Sequence, residues 1–159
     1  MLIVSSERFG DHVTPPGHPE SPERADVFDV VAANLRAAGA QVIEPRAATI
    51  EELLRVHTAS HVAAIEATRG RAAMLDADTF TSPDTAEVAR LAAGAAIQAV
   101  DAVLQGPHQR AAALVRPPGH HAESARAMGF CFYDNAAVAA AHARARGLAR
   151  VAIVDYDVH

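Results

Sequence analysis

The sequence predicts an α/β fold in which a parallel sheet carries helices on both faces. Short apolar runs alternate with helical stretches along the 159 residues, the order that builds strand–helix–strand units. One of these runs, Val151–Val154, is unbroken where a half-exposed strand would alternate, as in a strand covered on both sides. The longest helical stretch, from Ser82-Pro83 to Gly106, gathers Glu87, Arg90, Gln98, Asp101 and Gln105 on a narrow stripe. That leaves a broad face of Val, Leu, Ile and Ala to be buried against a sheet.

Each element follows in turn. Met1–Ser6 is an apolar run suited to the first strand, and the GDHVTPPGHPE behind it, rich in Pro, Gly and His, is loop. Ser21 is a good N-cap with Pro22 at the first helical position; Val27, Val31 and Leu35 recur every four residues, and Gly39 closes the helix. Gln41–Glu44 reads as a second strand, Ile50–Val56 and Ser60–Arg69 as short helices, and DADTFTSPD as polar loop before the long helix. Ala112–Val115 is a third short strand, Asn135–Arg146 an alanine-rich helix ended by Gly147, and Val151–Val154 the last strand. No internal repeat or second domain interrupts this order.

Composition narrows the function. Half the residues are apolar, the net charge is -5, and the 14 Lys and Arg are scattered, so no basic surface for nucleic acid is expected. The single cysteine, Cys131, excludes an internal disulfide, and the N-terminal apolar stretch is too short for a signal peptide or a membrane span. A reducing cytoplasm fits these features; composition leaves oligomeric assembly open. Nine histidines, several beside prolines and glycines, point to a site built on loops.

Two strand ends carry the chemistry. In LVRPPGHHAESARAMGFCFYDN, Pro117, Pro118 and Gly119 fix a turn that delivers His120 and His121 as a pair suited to proton transfer. In VDYDVH, alternation puts Asp155, Asp157 and His159 on one side of an extended strand. Hydrolytic zinc takes three protein ligands from His, Asp or Glu, and Asp157 and His159 supply two. Either motif alone also reads as solvated polar residues. Together they gain force, because parallel strand ends share one edge of the sheet, where Asp155 can accept a hydrogen bond from His120.

In GHPESPER, VHTASHV, DADTFTSPDTAEVARLAAGAA, RPPGHHA, GFCFYDNAAVAAA and VDYDVH, taken in order, the chain resembles the superfamily of histone deacetylases, acetoin-utilisation proteins and acetylpolyamine amidohydrolases, whose fold is the arginase-like parallel α/β sheet. The resemblance implies that His120 and His121 are the catalytic histidines, Asp157 and His159 zinc ligands, and Asp155 the buried partner of His120. It implies that Gly129 and Phe130 line a tunnel around the acyl-lysine stem, that Arg24 lines an internal channel for acetate, and that Asp78 is a rim acid holding substrate amides. It also places a potassium ion at Asp155, Asp157 and His159. Beside these stand plainer readings: Arg24 as a helix-terminal charge, Phe130 as a core aromatic, Cys131 as a buried apolar thiol. His12 and His18 read as hydrogen-bonded structural groups, His61 and His142 as solvated helical residues.

The family's His-Gly-Asn-Gly loop, its third metal ligand, the partner of its second histidine and its carbonyl-polarising tyrosine are not found in the 159 residues. The sequence therefore reads as the N-terminal part of a single deacetylase-like domain, with its sheet truncated. The expected activity of the intact domain is zinc-dependent hydrolysis of an acetyl-amide, from acetyl-lysine or an acetylpolyamine, and the isolated fragment is expected to be inactive. The alternative is a non-catalytic relative that binds an acyl ligand or a partner chain. An arginase-type two-metal hydrolase is disfavoured, because that fold uses carboxylate-rich loops where this sequence has PPGHH.

Overall fold

Leu2–Val4 form β1, which pairs in parallel on both sides and so anchors the sheet. The chain continues through a 3-10 helix (Glu7–Asp11), α1 (Glu23–Ala37), β2 (Gln41–Ile43), α2 (Ile50–Leu53) and α3 (Ala59–Glu66). A short antiparallel hairpin of β3 (Ala73–Met74) and β4 (Phe80–Thr81) precedes α4 (Thr85–Leu104), β5 (Ala111–Ala113) and α5 (Asn135–Ala145). These elements belong to a computed structural model that describes residues 1–158. Leu2 lies opposite Gln41 and Ala111, and Val4 opposite Ile43 and Ala113, so the strand order is β2-β1-β5.

That order decides where a ligand can bind. The chain moves from β1 to β2 on one side and later to β5 on the other, so the connections after β1 and after β5 diverge from neighbouring strand ends. Such a switch point leaves a crevice beyond the carboxyl ends of the strands. The two segments that meet there are residues 5–22 and 114–134.

The core forms on two sides of α4. Val88, Leu91, Ala92 and Ala95 pack with Leu2, Val4 and Phe9, while Ala86, Ala89, Ala93 and Ile97 meet Leu53, Val62, Ile65, Phe132 and Val138. The small residues let both neighbours approach the helix closely, and burying the larger apolar side chains contributes about 1.5–3 kcal/mol each. Helix starts follow local chemistry. Thr49 and Glu52 make a reciprocal capping box on α2, Thr58 caps α3, and the Asp134 carboxylate accepts from the Ala137 N–H at the start of α5.

Four expectations are corrected. Val151–Val154 forms no strand; Ile153 and Val154 are 55% and 82% exposed. Its apolar pattern specifies a segment fit for burial, but pairing needs a neighbouring edge in register, and it makes no ladder with the sheet. On α1 the buried residues are Ala25 and Ala32, with Val27 and Val31 60% and 37% exposed, because the helix packs on the 3-10 helix and β2 along a different stripe. DADTFTSPD contains β4, a two-residue strand below the reach of any periodicity. His61 and His142 are buried rather than solvated: His61 Nε2 is 2.8 Å from the Phe132 carbonyl, and His142 Nε2 is 2.8 Å from Asp101 Oδ1.

Candidate active site

Proline, glycine and side-chain bonds shape the loop that carries the histidine pair. After β5 the Leu114 N–H still donates to the Val4 carbonyl (2.9 Å), which carries Val115 and Arg116 to the sheet's edge. The Arg116–Pro117 peptide is cis. Gly119 then passes so close to the start of α5 that a Cβ there would lie 2.5 Å from the Asn135 nitrogen and 2.7 Å from the Tyr133 oxygen. The Asn135 amide donates to the Pro117 carbonyl (3.3 Å) from the same place. His57 closes the far side: Asp134 N–H donates to its Nε2 (3.0 Å), which leaves Nδ1 to carry the proton toward the Glu123 carbonyl (3.1 Å). One neutral imidazole thus pins two points of the loop, and burial holds its pKa below the usual histidine value, helped by nearby His61.

At the tip, the rings of His120 and His121 lie with centroids 4.1 Å apart. His120 Nδ1 is 2.8 Å from Asp155 Oδ2, a contact that selects the tautomer with the proton on Nδ1 and directs Nε2 away from the carboxylate. The Asp155 carboxyl is held below the ordinary carboxylate range, first by the Asp157 backbone N–H (3.0 Å) and then by His120. Asp155 was expected to be buried; its side chain is 53% exposed, because residues 151–158 lie on the surface. Gly129 lies against the other ring: its φ is +56°, and a Cβ would fall 2.6 Å from His121 Cδ2. Phe130 also has a positive φ, 67°, uncommon for a bulky residue. Its N–H donates to Thr79 Oγ1 (3.2 Å), and its ring meets the edge of His18 at 4.9 Å.

These residues enclose a cavity of about 250 Å³ that gathers Arg24, His120, His121, Gly129, Phe130 and Asp157 between Pro19 and Pro118. A second cavity of about 420 Å³ lies across His120, where Asp155 and the start of α5 line it. Asp78 lines neither. It is exposed between β3 and β4, with its carbonyl 3.0 Å from His18 Nε2 and its carboxylate accepting from Thr79 Oγ1 (3.2 Å). His159, expected to bind zinc and potassium, lies outside the described residues. Among the described residues no group of three or more His, Cys, Asp or Glu side chains is placed to hold a metal ion, so Asp157 fits a zinc site only in part. Among them, too, no helix is long and apolar enough to cross a membrane.

A profile of the histone deacetylase domain matches residues 18–159. The chain belongs to the histone deacetylase family. It is 43% identical over 159 residues to a histone deacetylase-like amidohydrolase of Pseudomonas aeruginosa, covering 94% of this chain and 41% of that protein. It is 46% identical over 126 residues to the human polyamine deacetylase HDAC10, covering 74% of this chain and 19% of that one. The crystal structure of the HDA15 HD domain superposes with a TM-score of 0.82 at 38% identity, over 92% of this chain and 45% of that chain. The chain thus spans less than half the length of these relatives, and their fold, the deacetylase-like α/β sheet, is its fold.

Sequence reasoning missed the groups that hold this family site from behind. Arg116 and Glu20 are 1% and 0% exposed and bound to each other, with His12 against the same carboxylate. The signal available was an arginine directly ahead of two prolines and a glutamate between His-Pro and Ser-Pro, both in loops too constrained to leave a charge idle. Cys131, by contrast, is buried as expected, and burial pushes its thiol up to about 12.

Proposed function

We propose that this chain forms the histidine-bearing part of a zinc-dependent deacetylase site that hydrolyses an acetyl-amide on a slender alkyl stem, as in acetyl-lysine or an acetylpolyamine. The observation that carries this reading is the convergence of His120, His121, Gly129, Phe130, Arg24 and Asp157 on one narrow cavity. His121, packed against Gly129, is the proton carrier: it takes a proton from the attacking water and returns one to the leaving amine. His120 is held by Asp155 in a single tautomer and orientation. The wall of Gly129 and Phe130 presents backbone and an aromatic face, which suit a methylene stem. Arg24, a fixed cation lining the same cavity, attracts the acetate product.

Asp157 and His159 are proposed as two ligands of zinc, which when bound supplies a Lewis acid for the carbonyl and lowers the pKa of water. Asp155, Asp157 and His159 are proposed in addition to hold a structural potassium ion. The substrate is taken to be a lysine side chain or a small polyamine, with no nucleic acid or membrane in its recognition, and the chain's place in the cell is taken to be the cytoplasm.

The test is acetate release from an acetyl-lysine peptide and from an acetylated polyamine by an intact deacetylase domain that contains this chain, comparing wild type with His121→Ala. Turnover should fall by several orders of magnitude with zinc content unchanged. Zinc lost in step with activity would make His121 a ligand and overturn the mechanism, and hydrolysis that persists in His121→Ala would overturn the site.

A further inference from the structure

Behind the histidine pair lies a buried ion pair that the proposed chemistry does not use. The Arg116 guanidinium, 1% exposed, donates from Nε to Glu20 Oε1 and from Nη2 to Glu20 Oε2, both at 2.6 Å. Its remaining N–H groups reach the Phe9 carbonyl (2.7 Å) and the His12 carbonyl (2.9 Å). All four bonds end in the segment between β1 and α1. Glu20 is equally committed: its N–H donates to His18 Nδ1 (3.1 Å), its carbonyl accepts from Thr14 Oγ1 (2.7 Å), and His12 Nε2 stands 3.4 Å from its carboxylate. Burial alone would raise the Glu20 carboxyl, but hydrogen bonds from His12 and Arg116 outweigh it and keep the group below its ordinary range.

His18 extends the connection. With Nδ1 accepting from Glu20, its Nε2 carries the proton to the Asp78 carbonyl, and its ring edge meets Phe130. Contacts therefore run from Asp78 and from Phe130 on the cavity wall through His18 and Glu20 to Arg116, four residues before His120. A buried ion pair is weak evidence for stability, since apolar residues of similar volume often serve as well. What a planar, bidentate fork adds is a fixed orientation between two chain segments.

We propose that the Glu20–Arg116 pair is a positioning device that sets how far the His18–Phe130 wall stands from His120 and His121, and so fixes the width of the acyl-amide cavity. Neither residue lines that cavity; both act through the groups that do. The inference rests on the deacetylase reading only for its kinetic consequence.

The experiment uses the double variant Glu20→Gln/Arg116→Met, which removes both charges at once, together with Arg116→Lys, which keeps the charge and loses the fork. The ring-proton NMR shifts of His18 and His121 at one fixed pH, and amide exchange over residues 119–122, read the geometry directly. Expected in the double variant are a lowered melting temperature, since the Phe9 and His12 carbonyls lose their donor, moved His18 and His121 shifts, and loop exchange at least ~10-fold faster; Arg116→Lys should fall between it and wild type. For acetate release, kcat should drop ~100-fold with KM little changed, the cost of roughly 1 Å of misplacement. Folded variants with wild-type shifts and exchange would overturn the proposal, as would failure of both variants to fold, which would make the pair a requirement of the fold itself. If an intact domain that contains this chain releases no acetate, the deacetylase reading fails, while shifts and exchange still decide the positioning role.

Discussion

Gly129→Ala tests the packing of the site most directly. At Gly129 the backbone is in the left-handed region, which costs a residue with a Cβ about 1–2 kcal/mol. The added methyl would lie 2.6, 2.8 and 2.9 Å from Cδ2, Cγ and Cβ of His121. Carbon pairs settle near 3.5–4.0 Å, so ring or loop must yield by about 1 Å. The ring cannot move freely the other way, because the tilted His120 ring lies against it with centroids 4.1 Å apart. A shift of about 1 Å in a proton-transferring group costs roughly 100-fold in rate, or ~2.7 kcal/mol of barrier. The strain and overpacking together cost stability of about 2–4 kcal/mol, a fall in Tm of roughly 5–15 °C for a chain of this size. Thermal melting by circular dichroism and acetate release measure the two effects, and the His121 ring shift reports the displacement. Gly129→Ala with native melting, native turnover and an unmoved His121 shift would refute the contact on which the cavity is built.

Three further outcomes follow from the ionisable groups. Glu52, paired with Arg46 at 2.6 and 2.8 Å and bound to Thr49 N–H, has its pKa lowered to about 2; its contribution is present above its ordinary pKa near 4.5 and is lost as pH falls toward 2. The full shift would correspond to ~3 kcal/mol, and the half-exposed Arg46 reduces this to about 1–2, so urea midpoints at pH 5 and pH 3 should separate more in wild type than in Glu52→Gln. His57, held neutral, stabilises the fold above its ordinary pKa near 6.5 and loses that contribution as pH falls below it; the drop in Tm from pH 7.5 to 5.5 should be smaller in His57→Asn, and an unchanged slope would contradict the neutral clamp. Cys131, a buried thiol shifted up to about 12, should resist iodoacetamide at pH 8 until denaturant is added, whereas alkylation of folded protein within minutes would mean the loop opens readily.

The parts of this molecule that could be read from its sequence are those set by local rules. The alternation of strands and helices, the broad apolar face of α4 and the glycine that follows α5 come from periodicity and capping. The His120–Asp155 contact was expected from parallel strand ends sharing one edge; the contact is present, but the segment before Asp155 makes no ladder with the sheet, so that rule does not account for it. What escaped lies across long separations in irregular chain. Arg116 and Glu20 are 96 positions apart, and no pattern in either loop names the other. The burial of His61 and His142 escaped for a related reason: a helical histidine is placed by what packs over it, here Phe132 and Asp101 from distant segments.

Function and illegibility share a cause here. The sheet holds only three residues in each strand, so apart from Arg24 on the first turn of α1 everything that shapes the cavity is irregular chain. A loop of prolines and glycines has no ladder of backbone bonds to fix it, and a proton-transferring group out of place by ~1 Å is badly impaired. The rigidity must then come from side chains that bond backbone groups in distant segments, as His57 does for Glu123 and Asp134, and Arg116 for Phe9 and His12. Buried groups with every polar atom committed meet that need, since a broken partner would leave an unpaired polar group out of water at a cost of about 1–3 kcal/mol. It follows that substitutions at His57 or Arg116, which lie outside the cavity, should disturb its geometry more than substitutions at exposed Asp78, although all three belong to quoted family motifs and the resemblance implies a role only for Asp78.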